Sequence, residues 1–150
     1  GKARILLDTY SGDPQHEAPL QAALRHPLCA FMTDTILTSR GTHNPASFGT
    51  YPRVLGRYCR ELGLFSLEEA VRRMTSLPAA RIGLQGVGRI AEGMWADLVL
   101  FDPQTVADNT APGRSDAPPT GIEAVLIGGQ VVAQGGGLMP GARRGRVLRR

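Results

Sequence analysis

The feature that most restricts the fold is a short apolar run, residues 29–33, which ends on Asp34. The run does not alternate between apolar and polar residues, which is typical of a strand buried on both faces, as in a parallel sheet. Residues 4–9 predict another short strand, and residues 15–26 between them predict a helix that ends at His26-Pro27. Together they predict one βαβ unit. Two strands are too few for an all-parallel sheet, so this unit needs neighbours.

Two further helices are predicted after a polar loop at residues 35–50. The first begins near Pro52, a residue suited to a first helical turn, runs over residues 52–62, and is closed by Gly63. The second opens with a capping box formed by Ser66 and Glu69. The apolar positions of these two helices are Leu55, Tyr58, Cys59 and Leu62, and then Leu67, Ala70, Val71 and Met74.

The character of the sequence changes after Gly86. Residues 96–101 predict a strand, and residues 107–120 form a loop rich in Pro, Gly, Asp and Ser. The glycines at 128 and 129 separate two β-rich runs, which predicts a two-residue hairpin. We therefore expect an α/β part up to about residue 84 and a small β part after it.

The charge distribution argues against nucleic acid as a partner. The net charge of +4 comes from five arginines in the last eight residues, while the preceding stretch is close to neutral. No aromatic residue accompanies this basic tail, so we expect a solvated tail and no nucleic-acid face. No apolar run is long enough to span a membrane, and no membrane partner is expected. Cys29 and Cys59 are too few for a disulfide scaffold and favour free thiols in a cytoplasmic protein.

Several segments of the chain resemble N-acyl-D-amino-acid deacylases (D-aminoacylases), a branch of the metal-dependent amidohydrolase superfamily. The resemblance covers roughly residues 20–150, and its narrowest marker is residues 48–56, Phe-Gly-Thr-Tyr-Pro-Arg-Val-Leu-Gly. The segment Ala-Asp-Leu-Val-Leu-Phe-Asp at residues 96–102 marks the superfamily at large. The other matching segments are Thr33-Asp34, His43-Asn44-Pro45, and residues 67–75, 77–81 and 145–150.

The resemblance implies an α/β fold, the C-terminal fragment of a (β/α)8 barrel followed by part of a small β-sandwich. Residues 1–84 would be the end of the barrel, with its last two strands at 4–9 and 29–34 and its last helix at 52–62. Residues 85–150 would be sandwich strands and the arginine-rich tail. A complete barrel needs about 250 residues, so the 150 residues are expected to be only part of an enzyme and inactive alone.

The resemblance assigns the chemistry to Asp34. In the family the matching Asp binds zinc and acts as general base, taking a proton from the attacking water and then protonating the leaving amine. Its predicted place at the C-terminal end of a buried parallel strand is where barrel enzymes carry catalytic groups. Without the resemblance, an Asp in this position is more typical of a turn or helix cap. The local motif here is Thr33-Asp34-Thr35, whereas many relatives have Ser-Asp-Gly.

The other zinc ligands of the family are expected to lie outside this chain. There is no His-x-His pair, and a single carboxylate does not make a zinc site. His16 is predicted to be solvated, and His26 to be structural at a helix end. Cys29 begins its strand, far from the catalytic end, and Cys59 lies on an apolar helix face.

Substrate contacts are predicted in the loop after Asp34. Arg40 can pair with the carboxylate of an N-acyl amino acid, and His43 can shape the pocket; a plain surface loop is the alternative for both. Many relatives have an arginine after the proline of this loop where this chain has Ala46, which moves the carboxylate clamp to Arg40. Asp8 and Tyr10 end the earlier strand, where a turn role competes with a place in the pocket.

The predicted function is zinc-dependent hydrolysis of the amide of N-acyl-D-amino acids, with the small-molecule substrate as partner. One alternative is a cyclic-amide hydrolase resembling hydantoinases and dihydroorotases. Another is a non-catalytic domain used for assembly, because the chain lacks most ligands. Residues 48–56 favour the first of these three hypotheses.

Overall fold

A computed structural model describes residues 14–35, 43–111 and 113–148. The predicted strand 4–9, with Asp8 and Tyr10, lies outside these residues, as do Arg40 and the last two arginines. The described part begins with helix α1 (Pro14–Arg25). Three further helices and four strands follow: α2 (Ala46–Arg53), α3 (Leu67–Met74), α4 (Ser76–Ile82), β1 (Leu98–Phe101), β2 (Ile122–Ile127), β3 (Gln130–Gln134) and β4 (Gly137–Leu138).

The helix predicted to start at Pro52 starts earlier, so that prediction is wrong at its N-terminus. α2 begins at Ala46, and Pro52 lies inside it. Proline has no N–H to donate, and its ring crowds the carbonyl four residues before it, so a regular α-helix is disturbed at this point. It continues directly as a π-helix, Val54–Glu61. The predicted end is confirmed, because Gly63 has a positive φ of 58°.

One of the two hydrogen bonds of the capping box predicted for the following helix is confirmed. The Ser66 side chain accepts a hydrogen bond from the Glu69 backbone N–H at 3.2 Å. The Glu69 carboxylate does not return to the N-terminus and binds two arginines of its own helix instead. The next helix, α4, ends at Gly83, which has a positive φ of 76°.

The predicted strand 29–33 is not paired within the described residues. A parallel strand needs a hydrogen-bonded neighbour, and the predicted neighbour at 4–9 lies outside the described part. The segment is held to the helices instead, since the Phe31 N–H donates to the carbonyl of Arg73 at 3.0 Å. Of the predicted βαβ unit, the described residues therefore contain the helix, α1, and the second segment, which is unpaired among them.

The β part is a four-stranded antiparallel meander in the order β1-β2-β3-β4. The predicted hairpin is confirmed: Ile127 pairs with Gln130, and the two glycines between them have φ of 57° and 78°, as a type I′ turn requires. A second glycine pair leads into β4, which the sequence analysis did not predict.

Part of the arginine tail is docked, which corrects the prediction of a solvated tail. The Arg146 guanidinium donates to both carboxylate oxygens of Asp97, at 3.1 and 2.5 Å. Its carbon lies 4.0 Å from the centre of the Trp95 ring. A planar guanidinium suits both a bidentate ion pair and stacking on indole, and this combination fixes the tail beside β1.

Two apolar clusters organise the interior. A helical cluster consists of Leu24, Phe31, Val54 and Tyr58. A junction cluster consists of Leu55, Ala70 and Val106, with Phe101 and Ile122 packed against it. Because the junction cluster takes residues from both parts, the helices and the sheet share one core.

One face of the α2/π-helix carries the polar contacts between the two parts. Arg53 pairs with the buried Asp108 carboxylate at 3.2 Å, and Arg60 donates to the Val106 carbonyl at 2.6 Å. Gly49 and Gly56 lie on this face, where the loop at residues 106–108 comes close. These two glycines of the marker segment 48–56 thus let the Asp108 side chain and the Val106 backbone approach the helix closely.

We expect Gly56→Ala to lower the free energy of unfolding. The added Cβ would stand 2.6 Å from the Val106 carbonyl oxygen, which is backbone and cannot turn away. Overpacking of this kind costs about 1–3 kcal/mol, more than the gain of about 1 kcal/mol that alanine normally brings to a helix. Gly137→Ala is the control, because nothing lies within 4 Å of its Cβ. Urea unfolding measures both, and equal stability of the two variants would contradict the prediction.

Candidate functional site around Asp34

The segment that carries Asp34 has two different sides. Phe31 is 7% exposed and Met32 70%, Thr33 is half-buried, and Asp34 is exposed. This alternation is the pattern of extended backbone, in which successive side chains point to opposite faces. Phe31 and Thr33 therefore face the helices, while Met32 and Asp34 share the open face.

The covered side of the segment is bound to the first turn of α2. The Thr33 hydroxyl donates to the Ala46 carbonyl at 2.9 Å, and the Thr50 hydroxyl donates to the same carbonyl at 2.8 Å. The two hydroxyl oxygens are 3.4 Å apart. The residue next to Asp34 is thus attached to the N-terminal end of α2.

The loop leading into α2 brings His43 to the same helix end. The Asn44 side chain accepts from the Ala46 N–H at 2.9 Å, which forms the turn that starts the helix. His43 is half-buried, and its ring meets Phe48 edge-on, with centroids 5.8 Å apart. His43 Nδ1 and Ser47 Oγ are buried with no hydrogen-bond partner. Thr33, next to Asp34, and His43 therefore both contact the N-terminal part of α2, while the predicted partner Arg40 lies outside the described residues.

The described residues do not form a metal site by themselves. In residues 14–35, 43–111 and 113–148, no group of three or more His, Cys, Asp or Glu side chains is placed to hold an ion. Zinc in proteins takes three or four donors of these types. The exposed Asp34 carboxylate suits one such donor, and the donor set of a complete site would need residues beyond those described.

His26 and the two cysteines take structural places, and His16 is exposed. His26 Nδ1 accepts from the Leu28 N–H at 3.2 Å, which closes the turn after α1. Cys29 and Cys59 are free thiols, each packed against one of the two clusters. Burial raises the pKa of the Cys59 thiol, and the nearby Glu68 charge adds a smaller rise. The higher pKa lowers the reactivity of this thiol at neutral pH.

A buried arginine, Arg73, supports the segment from the other end. It is 5% exposed, and its Nη1 donates to the carbonyls of Leu24 and His26 at 2.6 and 3.2 Å. Its Nε donates to Glu69 at 2.6 Å, and its guanidinium lies 5.4 Å from the Phe65 ring centre. Sequence reasoning missed this residue, although its position three residues after the buried Ala70 was a signal.

Glu69 balances the buried guanidinium. Hydrogen bonds from Arg72, at 2.6 and 2.8 Å, and from Arg73 lower the pKa of the Glu69 carboxyl from 4.5 to about 2. The carboxylate therefore stays ionised over the whole physiological range. Arg73 in turn joins α1 to α3 beneath the segment that ends on Asp34.

Comparison with known proteins identifies the class to which this fold and site belong. Residues 7–133 match the family model described as the amidohydrolase family. The match covers most of the chain, and the chain belongs to this family. Within the described residues, no helix has the length and apolar character needed to cross a membrane.

The similar proteins within the family are deacylases. A D-aminoacylase of Alcaligenes xylosoxydans xylosoxydans is 49% identical over 107 residues, which are 71% of this chain and 22% of the relative. A crystal structure of D-aminoacylase superposes with a TM-score of 0.84 at 40% identity, over 89% of this chain and 28% of that one. An N-acyl-D-glutamate deacylase from Bordetella bronchiseptica, complexed with zinc and a phosphonate mimic of the tetrahedral intermediate, gives 0.82 at 39% identity over the same shares. The chain thus spans about a quarter of the length of these proteins.

We expect Arg73→Ala to lower the free energy of unfolding by about 2–4 kcal/mol, because it leaves the Leu24 carbonyl buried without its donor. Arg72→Ala is the matched control: it removes a guanidinium from the same helix and the same carboxylate, but the Arg72 side chain is exposed. Urea unfolding followed by circular dichroism measures both. A loss for Arg72→Ala as large as that for Arg73→Ala would contradict the structural role assigned to Arg73.

The Glu69 cluster predicts a pH-dependent stability. Because the pKa of Glu69 is lowered from 4.5 to about 2 on folding, its charge stabilises the fold above pH 4.5, and this contribution is lost as the pH falls toward 2. The stability difference between the unsubstituted chain and Glu69→Gln should therefore shrink over that range. Repeating the comparison in an Arg72→Ala background should weaken the dependence. A difference that stays constant from pH 6 to about 2 would contradict the assignment.

Proposed function

We propose that this chain is the C-terminal part of a zinc-dependent amidohydrolase that hydrolyses the amide bond of N-acyl-D-amino acids. The observation that carries the proposal is the exposed Asp34 carboxylate, placed on the open face of a segment whose other face is packed on helices. The deacylases among its relatives support the substrate class. The activity belongs to a longer polypeptide, and the 150 residues alone are inactive in this proposal.

The open face of the segment is where we propose that the rest of a barrel packs. Residues 29–34 would then be the eighth barrel strand, with residues 1–84 closing the barrel and residues 85–150 contributing strands to a β-sandwich. Met32, 70% exposed here, would become buried in the barrel interior. Asp34 would lie at the C-terminal mouth, where barrel enzymes carry their catalytic groups.

Asp34 has two proposed roles, zinc ligand and general base/acid. Bound zinc would supply a Lewis acid that polarises the amide carbonyl and lowers the pKa of water. The Asp34 carboxylate would accept a proton from the attacking water and deliver it to the amine nitrogen as the C–N bond breaks. The products are the carboxylic acid of the acyl group and the free amino acid.

Substrate recognition is assigned to the loop between Asp34 and α2. Arg40 would pair with the α-carboxylate of the substrate, since Ala46 offers no charge. His43, with its Nδ1 buried and unpaired, would lend a polar atom to the wall of the pocket. The small-molecule substrate is the proposed partner, and the free thiols Cys29 and Cys59 are compatible with the cytoplasm as proposed location.

We expect Asp34→Asn in the complete polypeptide to lower kcat by at least about 100-fold, because it removes the proton acceptor. Activity toward N-acetyl-D-amino acids is measured with zinc content determined in parallel, and the exposed Asp116→Asn is the control. Full activity of Asp34→Asn would refute the role of Asp34.

The same assays separate the competing functions. Preferred turnover of hydantoins or dihydroorotate over N-acetyl-D-amino acids would favour a cyclic-amide hydrolase. A coding sequence with no His-x-His pair upstream, and no hydrolysis of either substrate class, would favour a non-catalytic assembly domain. Stoichiometric zinc in the purified 150-residue chain would contradict the view that most ligands lie elsewhere.

A further inference from the structure

Thr33, the residue before Asp34, makes a side-chain contact with helix α2. In extended backbone, neighbouring side chains point to opposite faces, and the burial pattern of residues 31–34 follows this rule. The Thr33 side chain therefore points away from the open face and cannot meet a substrate beside Asp34. What it meets is the Ala46 carbonyl, 2.9 Å from its hydroxyl oxygen.

The partner of Thr33 belongs to a firmly seated helix. The first turn of α2 is capped by Asn44, and the Thr50 hydroxyl donates to the same carbonyl from within the helix. Further along α2, Arg53 is paired with the buried Asp108. The hydroxyl of Thr33 thus connects the backbone of Asp34 to an element that is fixed to the β part of the protein.

We propose that Thr33 is a positioning residue, whose hydroxyl, bonded to the Ala46 carbonyl, holds the Asp34 carboxylate in its catalytic place. The proposal rests on the proposed function, because it needs Asp34 to be the catalytic group. The other end of the segment is held through Phe31, whose N–H donates to the Arg73 carbonyl. Among the contacts of the described residues, that of Thr33 is the nearest to the carboxylate, so its loss should affect Asp34 more than the fold.

The geometry makes Thr33→Val a clean variant. Valine keeps the branched shape, and the Ala46 carbonyl keeps the Thr50 hydroxyl as a donor, so no buried acceptor is orphaned. Thr33→Ser is the conservative rescue, because it keeps the hydroxyl. Thr50→Val is the matched control: it removes the second hydroxyl on the same carbonyl but leaves the bond from Thr33 intact.

The experiment uses the complete enzyme and measures kcat, KM and the free energy of unfolding. We expect Thr33→Val to lower kcat by about 10- to 100-fold, the range that a small misplacement of a catalytic group costs, with little change in KM. Thr33→Ser and Thr50→Val should stay close to the unsubstituted enzyme.

Two results would overturn the proposal: unchanged kcat in Thr33→Val, or equal losses of kcat in Thr33→Ser and Thr33→Val. Asp34→Asn, measured beside them, separates a failure of the positioning role from a failure of the proposed function. If Asp34→Asn is inactive while Thr33→Val is fully active, only the positioning role fails. If Asp34→Asn is active, the proposed function fails, and the role of Thr33 fails with it.

Discussion

The close approach of one helix to one loop holds this structure together. Where the π-helix passes the loop at residues 106–108, Gly56 leaves the Val106 carbonyl room that any other residue would take. The pairing of Arg53 with Asp108 and of Arg60 with the Val106 carbonyl then fixes the contact in direction as well as distance. Because Leu55 and Val106 bury each other in the same place, apolar burial and polar pairing favour a single arrangement of the two parts.

The position of Asp34 depends on that contact between the helix and the loop. Asp34 belongs to a segment without strand partners among the described residues, so its position is set by what lies beneath it. Phe31 is buried in the helical cluster, and Thr33 is bonded to the first turn of α2, the helix that contacts the loop. The contacts of Phe31 and Thr33 therefore support the Asp34 carboxylate. The helices that make these contacts are in turn packed against the β part.

Sequence patterns predicted the elements whose causes are local. The glycine pair at 128 and 129 specifies its hairpin because only glycine adopts both positive φ values readily, and Ser66 caps its helix through a neighbouring N–H. Pro52 misled the prediction because proline suits a first turn and is also tolerated where a helix widens. Arg73 and Arg146 were missed or misjudged because their partners, the Leu24 carbonyl and Asp97, are about 49 residues away, and local patterns do not reveal such pairs. The roles of Asp34, Arg40 and His43 rest on the family resemblance. Without it, Asp34 is more typical of a turn or helix cap, and a plain surface loop is the alternative for Arg40 and His43.

The clamp of Arg146 on Asp97 and Trp95 also determines how the β part ends. It joins a residue just before β1 to one that follows β4, so the meander and its long loop are enclosed between two fastened ends. Because the two ends of this long segment are held together, its strands gain less conformational entropy when they separate. The tail thus holds the residues that lead into β1, the edge strand that packs on the helices through Phe101.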